Sequence, residues 1–217
     1  MQAVIYVGEG VDIPLMKQII SQMATKPKKV GRHFFLSPNW EANTDLVIIP
    51  GGRDIPYDRH LRGEANDRIR RFVENGGSYL GICAGGYYGS AMVIFEEGGE
   101  LEVLEKRELA FFPGRAIGPV FGKGVFAYNS KKGACEALLN WKGGKCSAFF
   151  NGGCYFEDAH KYAEVIATYA DLDLPAIISC KVGKGRAILS GVHPECPVRD
   201  DHERSLLWKD LLNFFKY

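Results

Sequence analysis

Apolar positions along this chain fall into two kinds of block: short unbroken runs, and stretches in which they recur at helical spacing. Ala3 to Val7 is the first unbroken run and reads as a buried strand. "GEGVD" then turns into a helix carrying Met16, Ile19, Ile20 and Met23 on one side. A second short strand is expected around His33 to Leu36. "DLVIIPGG", Asp45 to Gly52, is a continuous apolar strand ending in a glycine turn, and its lack of polar alternation predicts cover on both faces, as in a central parallel strand. Glu64 to Glu74 places Ile69, Phe72 and Val73 on one helical face and is stopped by Asn75-Gly76-Gly77. Ser78 to Ile82 is again a buried strand.

Strand and helix therefore alternate through the first ninety or so residues, which predicts an α/β protein with an open, mostly parallel twisted sheet and helices on both faces. Ligands of such sheets sit beyond the carboxyl ends of the strands, where Gly51-Gly52 and Cys83 both fall. After residue 92 the blocks shorten. "LEVLEKREL", "GVFAYNS", "CSAFFNGGCYF" and "AEVIATYAD" read as added antiparallel strands and hairpins, and Ala176 to Glu195 as a hairpin turning at Val182-Gly183-Lys184-Gly185. Asp201 to Phe215, with Leu207, Leu211 and Phe215 at helical spacing, reads as an amphipathic helix. One domain over 1–217 is expected, with no repeat or linker.

Composition narrows the partners. The 217 residues are 46% hydrophobic, and Lys+Arg of 27 against Asp+Glu of 26 leaves a net charge of only +1, too little to draw nucleic acid or an anionic membrane surface. No run reaches the roughly 18 apolar residues of a membrane span, and "MQAVIYVGEG" lacks the charged start and long apolar core of a signal peptide. The 6 cysteines form no C-x-x-C pair, so reduced thiols, a cytoplasmic location and no structural metal are expected.

Within "YLGICAGGYYGS", Gly81-x-Cys83-x-Gly85 lies between a strand and a short helix, the form of a nucleophile elbow with sulfur as the nucleophile. A helix start beneath the thiol favours thiolate, and the amide of Ala84 is placed to receive an oxyanion, with the Gly51-Gly52 turn at the neighbouring strand end as the source of a second donor. The pattern alone more often marks an inert buried cysteine in a tight turn. A second constellation shifts the balance: Gly191-Val192-His193-Pro194-Glu195 also follows a strand, where His193 could carry the proton and Glu195 hold its tautomer. Gly51, Arg53, Gly85, Tyr87 and Asn151 fall near the same strand ends and are candidates for holding a small polar substrate. Tyr87 could instead pack in the core, Asn151 take a left-handed turn, and Arg53 pair with Asp54 at the surface.

Taken together, "IIPGG", "GICAGG" and "GVHPE" resemble the class I glutamine amidotransferase-like superfamily, a flavodoxin-like fold with a Cys-His-Glu triad. "PGGRDIPY", "YLGICAGGYYGS", "LAFFPGRAIGP", "FAYNSKKGA", "FFNGGCYF", "VIATYAD" and "VGKGRAILSGVHPE" are similar, in this order, to the amino-terminal domain of eukaryotic-type biotin-protein ligases, over residues 1 to about 197. The resemblance implies Cys83 as nucleophile, His193 and Glu195 as its partners, and Gly52 and Ala84 as oxyanion donors. Amidotransferases usually continue the elbow as glycine, histidine and glutamine, which help hold glutamine; here Gly85-Gly86-Tyr87 stand instead. The ligases resembled carry biotin activation in a separate domain, so biotin ligation by this chain alone is not expected. The readings left are a cysteine-dependent amidase or acyl transferase needing no cofactor, and a non-catalytic module that binds a small molecule or a biotin-pathway protein. A PfpI-type peptidase ranks below both, because Ala84 stands where such proteins carry histidine.

Overall fold

The computed structural model describes residues 2–128, 130–199 and 201–215. Nine strands form the main sheet. β1 (Ala3–Tyr6), β2 (Lys28–Val30), β3 (Leu46–Ile49), β4 (Ser78–Ile82) and β13 (Gly185–Ser190) run parallel in the order β2-β1-β3-β4-β13. β12 (Leu174–Val182), β11 (Glu164–Tyr169), β8 (Cys135–Trp141) and β9 (Gly144–Phe150) continue it antiparallel. The sheet is thus mixed, parallel in one half and antiparallel in the other. A second sheet, β10-β7-β5-β6, is built from β5 (Ser90–Phe95), β6 (Val103–Lys106), β7 (Phe112–Gly118) and β10 (Tyr155–Phe156).

Helices cover both faces because the parallel strands are apolar on both. On β3, Val47 and Ile49 join one core with α3 (Asp54–Leu61), α4 (Glu64–Glu74), α5 (Ala84–Tyr88) and the second sheet, while Leu46 and Ile48 join another with α1 (Ile13–Gln22) and α6 (Asp201–Asn213). All four β3 residues are fully buried, as the unbroken apolar run implied. Asp12 caps α1 by accepting the Leu15 amide at 3.0 Å. The hairpin turns at Gly183, whose φ of +58° lies in the left-handed region that favours glycine.

Three expectations change. His33 to Leu36 is not a strand: Arg32–Leu36 is the short helix α2, and the strand lies just before it at Lys28–Val30, where its register against Val4 to Tyr6 extends the sheet. Phe35 is buried from α2 against Trp40, a packing that two apolar neighbours reach as well from a helix as from a strand. "GVFAYNS" forms no strand among its described residues; Gly122 to Phe126 close a turn through amides donated to the Gly122 carbonyl, and Asn129 lies outside the described residues. Helix α3 was not expected. Its residues are strongly polar, and what fixes it is tertiary: Asp54, at its start, receives the fully buried guanidinium of Arg107 at 2.7 Å and 3.0 Å.

Helix α5 lies so close to the sheet that a methyl group at Gly85 would stand 2.0 Å from the Ile49 carbonyl oxygen. Gly85→Ala is therefore expected to lower unfolding free energy by about 3 kcal/mol, read as a fall in the urea midpoint, whereas Gly31→Ala, at φ −106° and with nothing within 4 Å of an added Cβ, should lose much less.

Candidate functional site

Strand register builds the site. Ser190, the last residue of β13, pairs with Ile82, the last of β4, so the segments beyond them leave the sheet side by side. Cys83 follows Ile82 and donates its amide to the Ser190 carbonyl at 2.7 Å. Its φ of +51° and ψ of −105° are a conformation that non-glycine residues avoid, held here because α5 begins at the next residue. The Cys83 thiol, 5% exposed, lies 3.6 Å from the Asn151 carbonyl oxygen.

His193 is reached three residues after Ser190 and is anchored by its own amide, which donates to the Phe149 carbonyl at 2.8 Å. Its Nδ1 lies 2.9 Å from Glu195 Oε1, with both side chains buried. A carboxylate at that distance keeps the proton on Nδ1 and leaves Nε2 to face a reacting group. Nε2 is shielded from solvent and has no partner with normal hydrogen-bond geometry; the Cys83 sulfur is close enough to act on the ring's charge without meeting that geometry. Burial opposes the imidazolium, but Glu195 and then Cys83 outweigh it and raise the His193 pKa to about 10. Gly51 makes room for the ring, because a Cβ there would come within 2.6 Å of His193 Cε1.

Cys83 and His193 line one cavity of about 630 Å³, with Gly52, Arg53, Phe126, Tyr128, Lys131, Phe149 and Asn151 among its walls. A recess of about 30 Å³ continues from it beside Cys83, Ala84, Tyr87 and Asn151. A larger cavity, about 900 Å³, opens at the amino ends of β3 and β4 among Thr44, Arg68, Phe72 and Ser78; it holds no thiol or histidine, so the chemistry belongs to the smaller one.

The candidate substrate residues divide. Arg53 and Asn151 line the main cavity and Tyr87 only the recess, its hydroxyl spent on the Gly152 carbonyl at 3.1 Å. Gly51 and Gly85 line neither; Gly51 accommodates His193 and Gly85 the backbone of β3. Arg53 stacks over Tyr128 at 5.9 Å while Asp54 pairs with Arg107. The left-handed position at Asn151-Gly152 is Gly152, at φ +70°. The amides of Gly52 and Ala84 donate to no acceptor among the described residues.

Two supports were not legible in the sequence. Arg204 of α6, 1% exposed, donates to the Pro194 carbonyl at 2.7 Å and is held by both oxygens of Asp201, which clamps the backbone between His193 and Glu195. Tyr57 of α3 donates towards the carbonyls of Pro50 and Gly51 at 3.1 Å and 3.0 Å, fixing the glycine turn. An arginine in a helix carries no sign of its target, and Tyr57 is set apart in the sequence only by its nearness to the glycine turn. Cys196 stands with His193 and Glu195 so that one ligating atom of each lies within 4.8 Å of the others, and burial and then Glu195 push its thiol pKa up. A cation on Nδ1 there would replace the proton shared with Glu195.

A twisted mixed sheet flanked by helices, with a buried His-Glu-Cys cluster at the carboxyl ends of its parallel strands, defines the class: this is a class I glutamine amidotransferase-like fold. A crystal structure described as glutamine amidotransferase superposes on it with a TM-score of 0.71 over 100% of both chains at 19% identity, a likeness of fold. Residues 1–210 match the model of the family described as "Biotin-protein ligase, N terminal", and the chain belongs to that family. It is 40% identical over 201 residues to an uncharacterized protein of Chlamydia muridarum, an alignment covering 86% of this chain and 77% of that one. It is also 42% identical over 167 residues to the biotin–protein ligase of Schizosaccharomyces pombe, covering 72% of this chain and only 26% of that protein.

Because folding raises the His193 pKa from 6.5 to about 10, the proton on the ring favours the folded state. That contribution is complete below pH 6.5 and is lost as pH climbs towards 10. Melting temperature is expected to fall across this window, and to fall less steeply in His193→Gln.

Proposed function

We propose that this protein is a cysteine-nucleophile amidase or acyl transferase acting on a small amide or ester. The observation that carries the reading is the meeting of the Cys83 thiol and the free Nε2 of a carboxylate-oriented histidine on the wall of one cavity. With the proton it shares already held on His193 Nε2, Cys83 attacks the substrate carbonyl carbon through its sulfur. The negative charge that develops on oxygen is received by the amides of Gly52 and Ala84. Collapse breaks the bond to the leaving nitrogen or oxygen, which takes the proton from His193 and departs. Water or an amine, deprotonated by the same histidine, then opens the thioester and frees Cys83. Glu195 keeps the imidazole in the required tautomer and stabilises its charged form.

Family membership supports a role connected with biotin metabolism, and the unpaired thiols suit a reducing compartment, so we assign the activity to the cytoplasm. The cysteines themselves provide the test. Burial raises Cys146 to about 11 and Cys180 to about 12, and holds Cys154 well above its ordinary value, leaving these thiols unreactive at neutral pH. Limited chloroacetamide at pH 7 should therefore modify Cys83 ahead of Cys146, Cys154 and Cys180 by at least about tenfold, and His193→Ala should remove most of that advantage, with the exposed Cys135 as the measure of accessibility alone. Peptide mapping by mass spectrometry that found the thiols modified alike, or no effect of His193→Ala, would count against the reading.

A further inference from the structure

On the side of the imidazole away from Cys83, His193, Glu195 and Cys196 bring a ring nitrogen, a carboxylate and a sulfur together. All three belong to one turn of four consecutive residues, closed by the Cys196 amide on the His193 carbonyl at 3.1 Å. One ligating atom of each lies within 4.8 Å of the others, and Nδ1 stands 2.9 Å from Glu195 Oε1. Around a tetrahedral zinc ion, with bonds of about 2.0 Å to nitrogen and oxygen and about 2.3 Å to sulfur, such atoms stand about 3.3–3.5 Å apart. The nitrogen–oxygen pair therefore has to open slightly and the sulfur to close in by about 1.3 Å at most.

An unpaired oxygen points independently to a cation. Glu195 Oε2 is shielded from water and accepts nothing among the described residues, where the residue's one ion pair is with His193. Cys196 lies close enough to act on the carboxylate but does not meet it with normal hydrogen-bond geometry. Arg204, which braces the same turn, has its charge taken up by Asp201. A desolvated carboxylate oxygen is costly until a donor or a cation reaches it. An ion does so without any ligand atom being open to solvent, because it stands between the three groups in place of protons they already hold. Cys196, 7% exposed and followed by exposed Pro197, is the side from which it enters.

We propose that His193 Nδ1, the Glu195 carboxylate and Cys196 Sγ form a binding site for a divalent cation of zinc's chemistry, and that this ion and the proton between His193 and Glu195 exclude one another. Mixed nitrogen, oxygen and sulfur donors suit zinc, whereas calcium and magnesium take oxygen. Occupation removes Glu195 from the imidazole and so turns off the proton relay; only that consequence rests on the preceding reading.

Cobalt(II) reports the site without turnover, since a cobalt–thiolate bond adds charge-transfer absorption in the near ultraviolet. One equivalent added to Cys83→Ala protein should produce that absorption and zinc should displace it. Cys196→Ser in the same background should abolish it, although the exposed thiol of Cys135 is still present. Zinc affinity should fall at least about tenfold in Cys196→Ser and in Glu195→Gln, the least that losing even an outer partner of a metal ligand causes. X-ray absorption of zinc-loaded unsubstituted protein depends on no variant's folding and should show one sulfur at about 2.3 Å beside nitrogen and oxygen at about 2.0–2.2 Å. Thiolate absorption that survives Cys196→Ser, a zinc shell with no sulfur or with two, or no saturable binding would overturn the proposal. Should zinc bind as described in a protein whose Cys83 reacts no faster than its buried thiols, the catalytic reading fails and the metal site stands.

Discussion

One hydrogen bond fixes the relation between two distant parts of the chain: the Cys83 amide donates to the Ser190 carbonyl at 2.7 Å. It continues the parallel ladder of β4 and β13 one step past the last paired residues, Ile82 and Ser190. A slip of that ladder by a single residue would turn each side chain to the opposite face and carry His193 away from the thiol. The bond forms because β13, arriving from an antiparallel hairpin with β12, is inserted beside β4 as a parallel strand. The topology of the second half of the chain is thus what delivers a histidine to a cysteine encoded some hundred residues earlier.

Around that junction, two guanidinium groups are buried against carboxylates that keep some exposure, and their job is geometric. Arg107 and Asp54 tie β6's end to the start of α3, directly after the glycine turn, and Arg204 with Asp201 ties α6 to the His193 turn. Neither pair is expected to add much net stability, since removing such charges from water costs about as much as their attraction returns. Each fixes a backbone segment that lies in neither helix nor strand. The backbone strain at Cys83, with φ at +51°, is retained because the ladder bond on one side and close-packed α5 on the other leave no room to relax it.

The parallel half of the sheet was legible because burial on both faces writes an unbroken apolar run, as in Leu46–Ile49 and Ser78–Ile82, and the hairpin because its glycines sit where the turn needs them. Helix α3 was not, since its position comes from Arg107, far along the chain, rather than from an apolar stripe. The loop carrying Phe126 and Tyr128 looked like a strand for a related reason: its aromatic residues are apolar to suit a cavity wall, and a cavity wall and a sheet face ask for the same side chains. Cys83, His193 and Glu195 stand out through the glycines and proline around them, whereas nothing in the sequence shows that Gly51 and Gly85 leave the space His193 and β3 occupy.

Arg204 has one more implication. Its guanidinium spans from the closing helix to the Pro194 carbonyl, so the imidazole's backbone and the last packed element of the described chain move as a single mechanical unit. Fraying of that helix would withdraw the side-chain brace on the Pro194 carbonyl, tying order at the histidine to order in α6.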